Sequence, residues 1–198
     1  MKVAFHTLGC KTNAYETQAI LEQFQKEGFE TASFDEPSDV YVINTCSVTS
    51  EAGRKSRQII RRCKKLNEEA IVCATGCYVQ EVGRKLLEDA GCDLVVGNNE
   101  KSKIANLVLE KLDLNKKEQS ETQAVSSEQK LNCSEKDEKA VLDDLTFCTD
   151  YEEQKITNQG NHVRAYVKIQ DGCNRFCSYC IIPYLRGRSR SRIKMQNA

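Results

Sequence analysis

Asp39-Val40-Tyr41-Val42-Ile43-Asn44-Thr45-Cys46 is the stretch that decides the fold. Val40, Tyr41, Val42 and Ile43 are all β-branched or aromatic, so residues 39–44 read as a firm strand. A cysteine stands just past its end. The segments on either side explain why that position matters.

Upstream, residues 2–8 read as a first strand and residues 13–27 as a helix. Asn13 is placed as its N-cap, with Glu16 three residues on as a variant of the capping box. Gly28 ends the helix, and residues 30–34 form a weak second strand. Downstream, a basic stretch from about 49 to 66 reads as a helix and residues 70–75 as the fourth strand. Residues 79–90 are helical, 93–97 the fifth strand and 102–112 the last helix. This alternation predicts an α/β domain over residues 1–112. Its expected core is a five-stranded parallel flavodoxin-like sheet, order 2-1-3-4-5, covered by helices on both faces. About 112 residues suffice for a proper core.

Residues 113–161 differ in kind. Runs such as Ser134-Glu135-Lys136-Asp137-Glu138-Lys139 lack hydrophobic periodicity and are charge-rich, which predicts a polar, largely disordered linker. Val141, Leu142, Leu145 and Phe147 form one apolar island in it, suited to docking on a domain. Residues 162–170 then read as a new strand, with Val163, Ala165, Val167 and Ile169 alternating. That strand leads directly into Cys173 and opens a third part, 162–198.

The 29 basic and 29 acidic residues balance over the whole chain but not along it. Residues 1–112 hold 15 basic and 16 acidic side chains, 113–161 hold 6 and 12, and 162–198 hold 8 and 1. A basic last segment suits a polyanion such as RNA, although charge alone favours a solvated loop. Arg186, Arg188, Arg190 and Arg192 read first as local ion pairs or solvent-facing groups, with phosphate contacts as the alternative. No apolar run approaches the roughly 18 residues of a membrane span, and Met1-Lys2 runs straight into a strand. A cytoplasmic protein is expected, and with eleven cysteines metal or redox use is favoured over disulfides.

Cys10 follows the first strand, Cys46 the third and Cys77 the fourth. All three lie just beyond the C-terminal ends of strands, where open α/β sheets bind ligands, and the 2-1-3-4-5 order makes those strands neighbours. Helices that start nearby would favour an anionic thiolate site. The bland reading is that buried cysteines are small hydrophobes. Cys73 fits that reading well, and Cys63, Cys92, Cys133 and Cys148 lack partners at ligand spacing. A nucleotide site is disfavoured, since neither G-x-G-x-x-G nor a P-loop is present.

A second constellation is Cys173, Cys177 and Cys180 in Asp-Gly-Cys-Asn-Arg-Phe-Cys-Ser-Tyr-Cys, spaced C-x3-C-x2-C. Three thiolates at this spacing can hold three irons of a cubane cluster and leave the fourth open. Zinc would want a fourth ligand, and none lies close downstream. A redox pair of Cys177 and Cys180 would ignore Cys173. Spacing alone favours the three-ligand cluster and leaves the others open.

The triplet after a strand resembles the signature of radical S-adenosylmethionine enzymes. With Gly9-Cys10, Asn44-Thr45-Cys46 and Gly76-Cys77, the chain resembles the methylthiotransferase family. Phe5-His6-Thr7-Leu8-Gly9-Cys10-Lys11-Thr12-Asn13, and Cys180-Ile181-Ile182-Pro183-Tyr184 with Arg186-Gly187, are similar to its MtaB branch, which modifies N6-threonylcarbamoyladenosine in tRNA. The resemblance covers both ordered parts of the chain and not the polar stretch from 113 to about 139.

The resemblance implies two [4Fe-4S] clusters. Cys173, Cys177 and Cys180 would hold the one that binds S-adenosylmethionine and generates a 5′-deoxyadenosyl radical. Cys10, Cys46 and Cys77 would hold the one that presents sulfur. By the same resemblance the product would be methylthiolated at C2 of the modified adenosine at position 37, an inert aromatic C–H whose activation needs cofactor chemistry. Phe176 and Tyr179 would either shield the cluster or merely pack. The family continues into the rest of a barrel and an RNA-binding TRAM domain, whereas this chain ends eighteen residues (198 − 180) after Cys180. An N-terminal fragment, inactive alone, is therefore expected. Alternatives are the branch that methylthiolates a ribosomal-protein aspartate and a non-catalytic metal-binding module.

Overall fold

Val40–Thr45, the third strand (β3), is buried at every position, and so is the fourth, Ile71–Gly76 (β4). Strands buried on both faces belong inside a parallel sheet with helices above and below. The computed structural model describes residues 1–121, 140–158 and 165–192. Around β3 and β4 it contains β1 (Lys2–Thr7), α1 (Lys11–Lys26), β2 (Glu30–Ala32), α2 (Ser50–Leu66), α3 (Cys77–Val82), α4 (Lys85–Ala90) and β5 (Leu94–Val96). A 3-10 turn (Lys101–Lys103) leads into α5 (Ile104–Glu121).

Side-chain alternation along the strands divides the core in two. Tyr41, Ile43, Val72 and Ala74 pack with Ile60 and Cys63 of α2 and Leu86 of α4. On the other face Val40, Val42, Ile71 and Cys73 pack with Ile20 and Phe24 of α1 and Ile104 and Val108 of α5. The sheet order is β2-β1-β3-β4-β5-β6, all parallel, so the expected order is present with one strand added.

The sixth strand, β6 (Ala140–Val141), pairs with β5 and comes from the stretch expected to be linker. Too short and polar in its surroundings to show a period, it is fixed by tertiary pairing, with Gly97 N–H donating to Val141 O at 2.8 Å. The expected apolar island docks only in part. Leu145 is buried and Phe147 is 84% exposed. Of the remaining linker positions, 113–121 continue α5, while 122–139 and 159–161 lie outside the described residues.

Three local expectations change. Helix α1 starts two residues early, with Cys10 rather than Asn13 at its N-cap. Asn13 is drawn inward, donating to Leu8 O at 2.8 Å and Thr45 O at 2.9 Å. Glu16 therefore makes no capping box and is fully buried elsewhere. The single helix expected over 79–90 is broken at Gly83 (φ 60°) into α3 and α4. The helix expected from about 49 to 66 is present as α2, with Thr49 as its N-cap accepting from Ala52 N–H at 3.2 Å.

The strand expected over 162–170 is replaced by irregular backbone over the described residues 165–169, followed by β7 (Gln170–Asp171). Its alternation is inverted: Val167 and Ile169 are 65% and 66% exposed, and Lys168 is buried. Ionic partners pull Lys168 inward, and that sets the register against the apolar pattern. After α6 (Ile182–Arg186) the chain returns as β8 (Arg190–Ser191), antiparallel to β7. The first βα portion of a barrel is thus seen here as a short hairpin. No helix among the described residues is long and apolar enough to cross a membrane.

Candidate functional site

Cys46 and Cys77 stand immediately after β3 and β4, and Cys10 three residues after the end of β1; the three strands are adjacent in the sheet. Thr7 pairs with Asn44 and Thr45 with Gly76, so the three strand ends are level. Topology therefore brings the three loops to one edge. Cys10 is exposed there, while Cys46 and Cys77 are buried.

The loops are fixed by side chains on neighbouring strand ends. Asn44 donates to Asn13 O at 3.0 Å and Thr17 Oγ1 at 3.2 Å. Thr45 donates to Thr75 O at 2.6 Å and accepts from Val79 N–H at 3.3 Å. Glycines keep the cradle open. Gly9 (φ 102°) faces Cys46 so closely that an added Cβ would lie 2.8 Å from its Sγ. At Gly76 (φ 100°) a Cβ would meet Thr45 O at 2.4 Å and Asn44 Oδ1 at 2.6 Å. Both need a left-handed conformation and the missing side chain.

Four buried polar atoms at this rim have no hydrogen-bond partner: Asn44 Oδ1, Ser47 Oγ, Thr75 Oγ1 and Asn98 Oδ1. Soft thiol donors, a glycine-lined cradle and unsatisfied polar atoms together fit a thiophilic iron–sulfur group better than a hard cation. As the side chains stand, no group of three or more His, Cys, Asp or Glu among the described residues converges on a metal-binding position. The fit rests on the placement of the loops and their donor chemistry.

The second triad lies on one loop between β7 and β8. Cys173 and Cys180 are half-buried and Cys177 is exposed. Cys180 N–H donates to Cys177 O at 2.9 Å, and Cys173 N–H to Gly187 O at 3.0 Å. Phe176 is the one non-glycine residue with positive φ (46°) among the described residues. Its ring meets Tyr184 edge-on at 5.7 Å and lies 5.5 Å from the Arg188 guanidinium, whereas Tyr179 is 90% exposed. Gly172 (φ 73°) runs so near Arg188 O that a Cβ would sit 2.2 Å from it.

The two triads are joined. Asn98, after β5, donates to Leu185 O in α6 at 2.7 Å and lies 4.0 Å from Cys77 Sγ. Arg186 donates to Asn13 Oδ1 at 2.7 Å, to Glu16 Oε1 at 2.9 Å and to Asp171 Oδ1 at 3.0 Å. Lys168 reaches Glu16 at 2.7 Å and Asp171 at 2.6 Å, and Lys101 contacts Glu16 from the other side. Burial works against the Glu16 carboxylate. Even so, Lys101, Arg186 and Lys168 outweigh it and hold its carboxyl well below the usual carboxylate range. Asp171 is lowered in the same way, its desolvation overcome by Arg186 and Lys168. The Arg186 guanidinium is also desolvated, yet Glu16 and Asp171 raise its pKa well above normal.

The late arginines do form ion pairs, but with distant rather than local partners: Arg186 with Glu16, and Arg192 with Glu153 at 2.7 Å. Arg190 donates to Asn99 Oδ1 and Arg186 O. Sequence reasoning missed Glu16, Asn98, Lys101 and Lys168, for which nothing in local pattern signals a tertiary partner. Cys63, Cys73 and Cys92 are buried core thiols. Desolvation pushes Cys63 and Cys92 up to about 12 and raises Cys73 further, which keeps all three protonated and inert. Cys148 receives Asn99 Nδ2–H at 3.2 Å, and Cys133 lies outside the described residues.

Residues 2–97 match the model of Uncharacterized protein family UPF0004. Over 190 residues the chain is 40% identical to threonylcarbamoyladenosine tRNA methylthiotransferase MtaB of Bacillus subtilis (strain 168), covering 96% of this chain and 38% of that protein. It is 38% identical to the protein of the same name from Aquifex aeolicus (strain VF5), covering 96% and 42%. The chain thus spans about two-fifths of the length of these relatives. Among solved structures, the radical S-adenosylmethionine methyltransferase TsrM from Kitasatospora setae, with tryptophan and a SAM analog bound, aligns with a TM-score of 0.52 at 15% identity. That alignment covers 97% of this chain and 43% of that one, a likeness of fold.

Proposed function

We propose that this chain, a relative of the MtaB-type methylthiotransferases whose residues 2–97 carry the UPF0004 domain, contributes both thiol sites of a radical methylthiotransferase. The substrate in this reading is tRNA, modified at C2 of N6-threonylcarbamoyladenosine in position 37. The observation that carries it is the junction of the two cysteine triads through Asn98, Leu185 and Arg186. Two thiol sites held side by side suit a reaction in which one site activates a carbon and the other delivers sulfur to it.

In this reading Cys10, Cys46 and Cys77 hold one [4Fe-4S] cluster, and Cys173, Cys177 and Cys180 the other. Bound there with S-adenosylmethionine, the clusters supply one-electron bond cleavage and transferable sulfur, chemistry beyond any side-chain acid or base. The chain's own residues orient and shield. Gly9 and Gly76 leave room at the first site, and Asn13, Asn44 and Thr45 fix its loops. Phe176, edge-on to Tyr184 and itself 41% exposed, supplies an aromatic wall beside the second loop. The mostly apolar cleft of about 210 Å³ near Cys10, lined by Lys11, Thr12, Tyr166 and Ile169 among others, offers a cation and an aromatic ring to a nucleotide. That chemistry suits stacking and phosphate contact.

Anaerobic reconstitution with iron and sulfide tests the site assignment. Two clusters per chain are expected, about eight irons for two cubanes. Replacing Cys10, Cys46 and Cys77 with alanine should remove one, and retention of both sinks the assignment. Mass analysis of tRNA nucleosides and ribosomal peptides, from cells lacking the gene, separates the tRNA substrate from an aspartate.

A further inference from the structure

Five charged side chains from the sheet domain and the second cysteine loop meet in one buried cluster. Glu16 on α1 and Lys101 on the 3-10 turn are fully buried, and Lys168, Asp171 and Arg186 are at most 8% exposed. A solvent-free ion cluster is costly to assemble and strongly directional once made. Only a particular placement of all five groups satisfies it.

The groups sit at telling positions. Asp171 immediately precedes Gly172-Cys173 at the start of the loop, and Arg186 precedes Gly187 at its far end. Arg186 ties the two stems together through Asp171 at 3.0 Å, and Cys173 N–H closes the loop on Gly187 O. Both stems then converge on Glu16, Arg186 directly at 2.9 Å and Asp171 through Lys168. Glu16 lies six residues beyond Cys10 on the same helix, about 9 Å along its axis. On the opposite side α6 rests against α3, which begins with Cys77.

We propose that Glu16 is a positioning residue: the Glu16–Lys168–Asp171–Arg186 cluster is the latch that seats the Cys173–Cys180 loop over the edge carrying Cys77. The latch stands apart from what the thiols bind. It sets the approach of one cysteine triad to the other, so it deepens the functional reading without resting on it. Lys101 belongs to the sheet domain and steadies Glu16 from behind, while Lys168, Asp171 and Arg186 belong to the segment 165–192 that carries the loop.

The test uses the full chain, metal-free. Hydrogen–deuterium exchange and peptide-resolved alkylation are measured for the wild type, Glu16→Gln, Lys168→Met and Lys101→Met. With Glu16→Gln and Lys168→Met, exchange over 165–192 should rise at least about tenfold, because removing one member of a buried ion cluster strands the others. Protection of β3 and β4 should hold. Alkylation of Cys77, which is 3% exposed, should accelerate by a similar factor, while that of exposed Cys10 stays within about twofold. Lys101→Met should not release the loop selectively. The proposal is overturned if exchange over 165–192 is unchanged, or if it rises equally in β3 and β4. It is also overturned if Cys77 stays as protected as before. Should Glu16→Gln fail to fold, Arg186→Lys keeps the charge and loses the forked contacts, and the same regional loosening is expected of it.

Discussion

The two cysteine triads are held by opposite kinds of structure. Cys10, Cys46 and Cys77 extend from three neighbouring strands whose interiors are sealed by apolar packing on both faces. Cys173, Cys177 and Cys180 share one loop flanked by a ladder of two residue pairs, and its attachment to the sheet is polar and ionic. Burial of apolar area is non-directional and indifferent to pH, whereas a buried ion cluster depends on geometry and protonation. The difference teaches that the first site is a property of the domain and the second a property of a contact.

The largest contrast lies in metal content. Alanine at Cys173, Cys177 and Cys180 should remove about half of the reconstituted iron and leave the sheet domain's melting temperature within a few degrees. Alanine at Cys10, Cys46 and Cys77 should remove the other half. Iron and sulfide assays with calorimetry check both.

Next come two of the glycines that carry close backbone approaches. Gly76→Ala places a Cβ 2.4 Å from Thr45 O at φ 100°, at the end of the interior strand β4. It should cost roughly 2–6 kcal/mol of global stability. Gly172→Ala makes an equally tight contact with Arg188 O, but should loosen only 165–192 and leave the urea midpoint of the sheet domain nearly unchanged. Equal effects on both would erase the comparison.

Acid should separate the regions a little less sharply. Glu16 and Asp171 have pKa values depressed in the folded chain, so their stabilisation is complete above ordinary carboxylate values, about 4 to 4.5. It is lost as pH falls through the depressed values. Loss of one partner in such a cluster costs about 3–5 kcal/mol. Exchange over 165–192 should therefore rise at a higher pH than exchange in β3 and β4. The smallest effect is expected at the core thiols. Cys73→Ala should cost about 1 kcal/mol and remove no iron, and Cys63, pushed up to about 12, should resist alkylation at pH 8 in the native protein.

The sheet was legible because β3 and β4 are continuous apolar runs and helices with turn signals separate them. Strand order then followed, and with it the common edge of Cys10, Cys46 and Cys77. What stayed hidden depends on distant partners. Ala140–Val141 is too short to show a period and becomes a strand only by pairing with β5. Asn13 looked like an N-cap, because its role as a brace from α1 to β3 requires the folded sheet. The alternation of Val167 and Ile169 suggested a strand, yet they lie exposed on irregular backbone, since the ionic partners of the buried Lys168 between them decide the local path. For the second triad, spacing singled out Cys173, Cys177 and Cys180 as candidates but gave no sign of Glu16, 170 residues from Arg186, as the anchor of their loop.

That separation has a consequence for the order in which the chain is made. At roughly 5–20 residues per second, α1 leaves the ribosome long before its counter-charges exist. Lys101 follows 85 residues after Glu16, Lys168 after 152 and Arg186 after 170. A nascent sheet domain can therefore close over Glu16 with Lys101 as its sole ionic partner, leaving carboxylate lone pairs open to later donors. The second cysteine loop meets that waiting charge only at the end of this stretch of synthesis, which makes joining of the two halves a late and vectorial event.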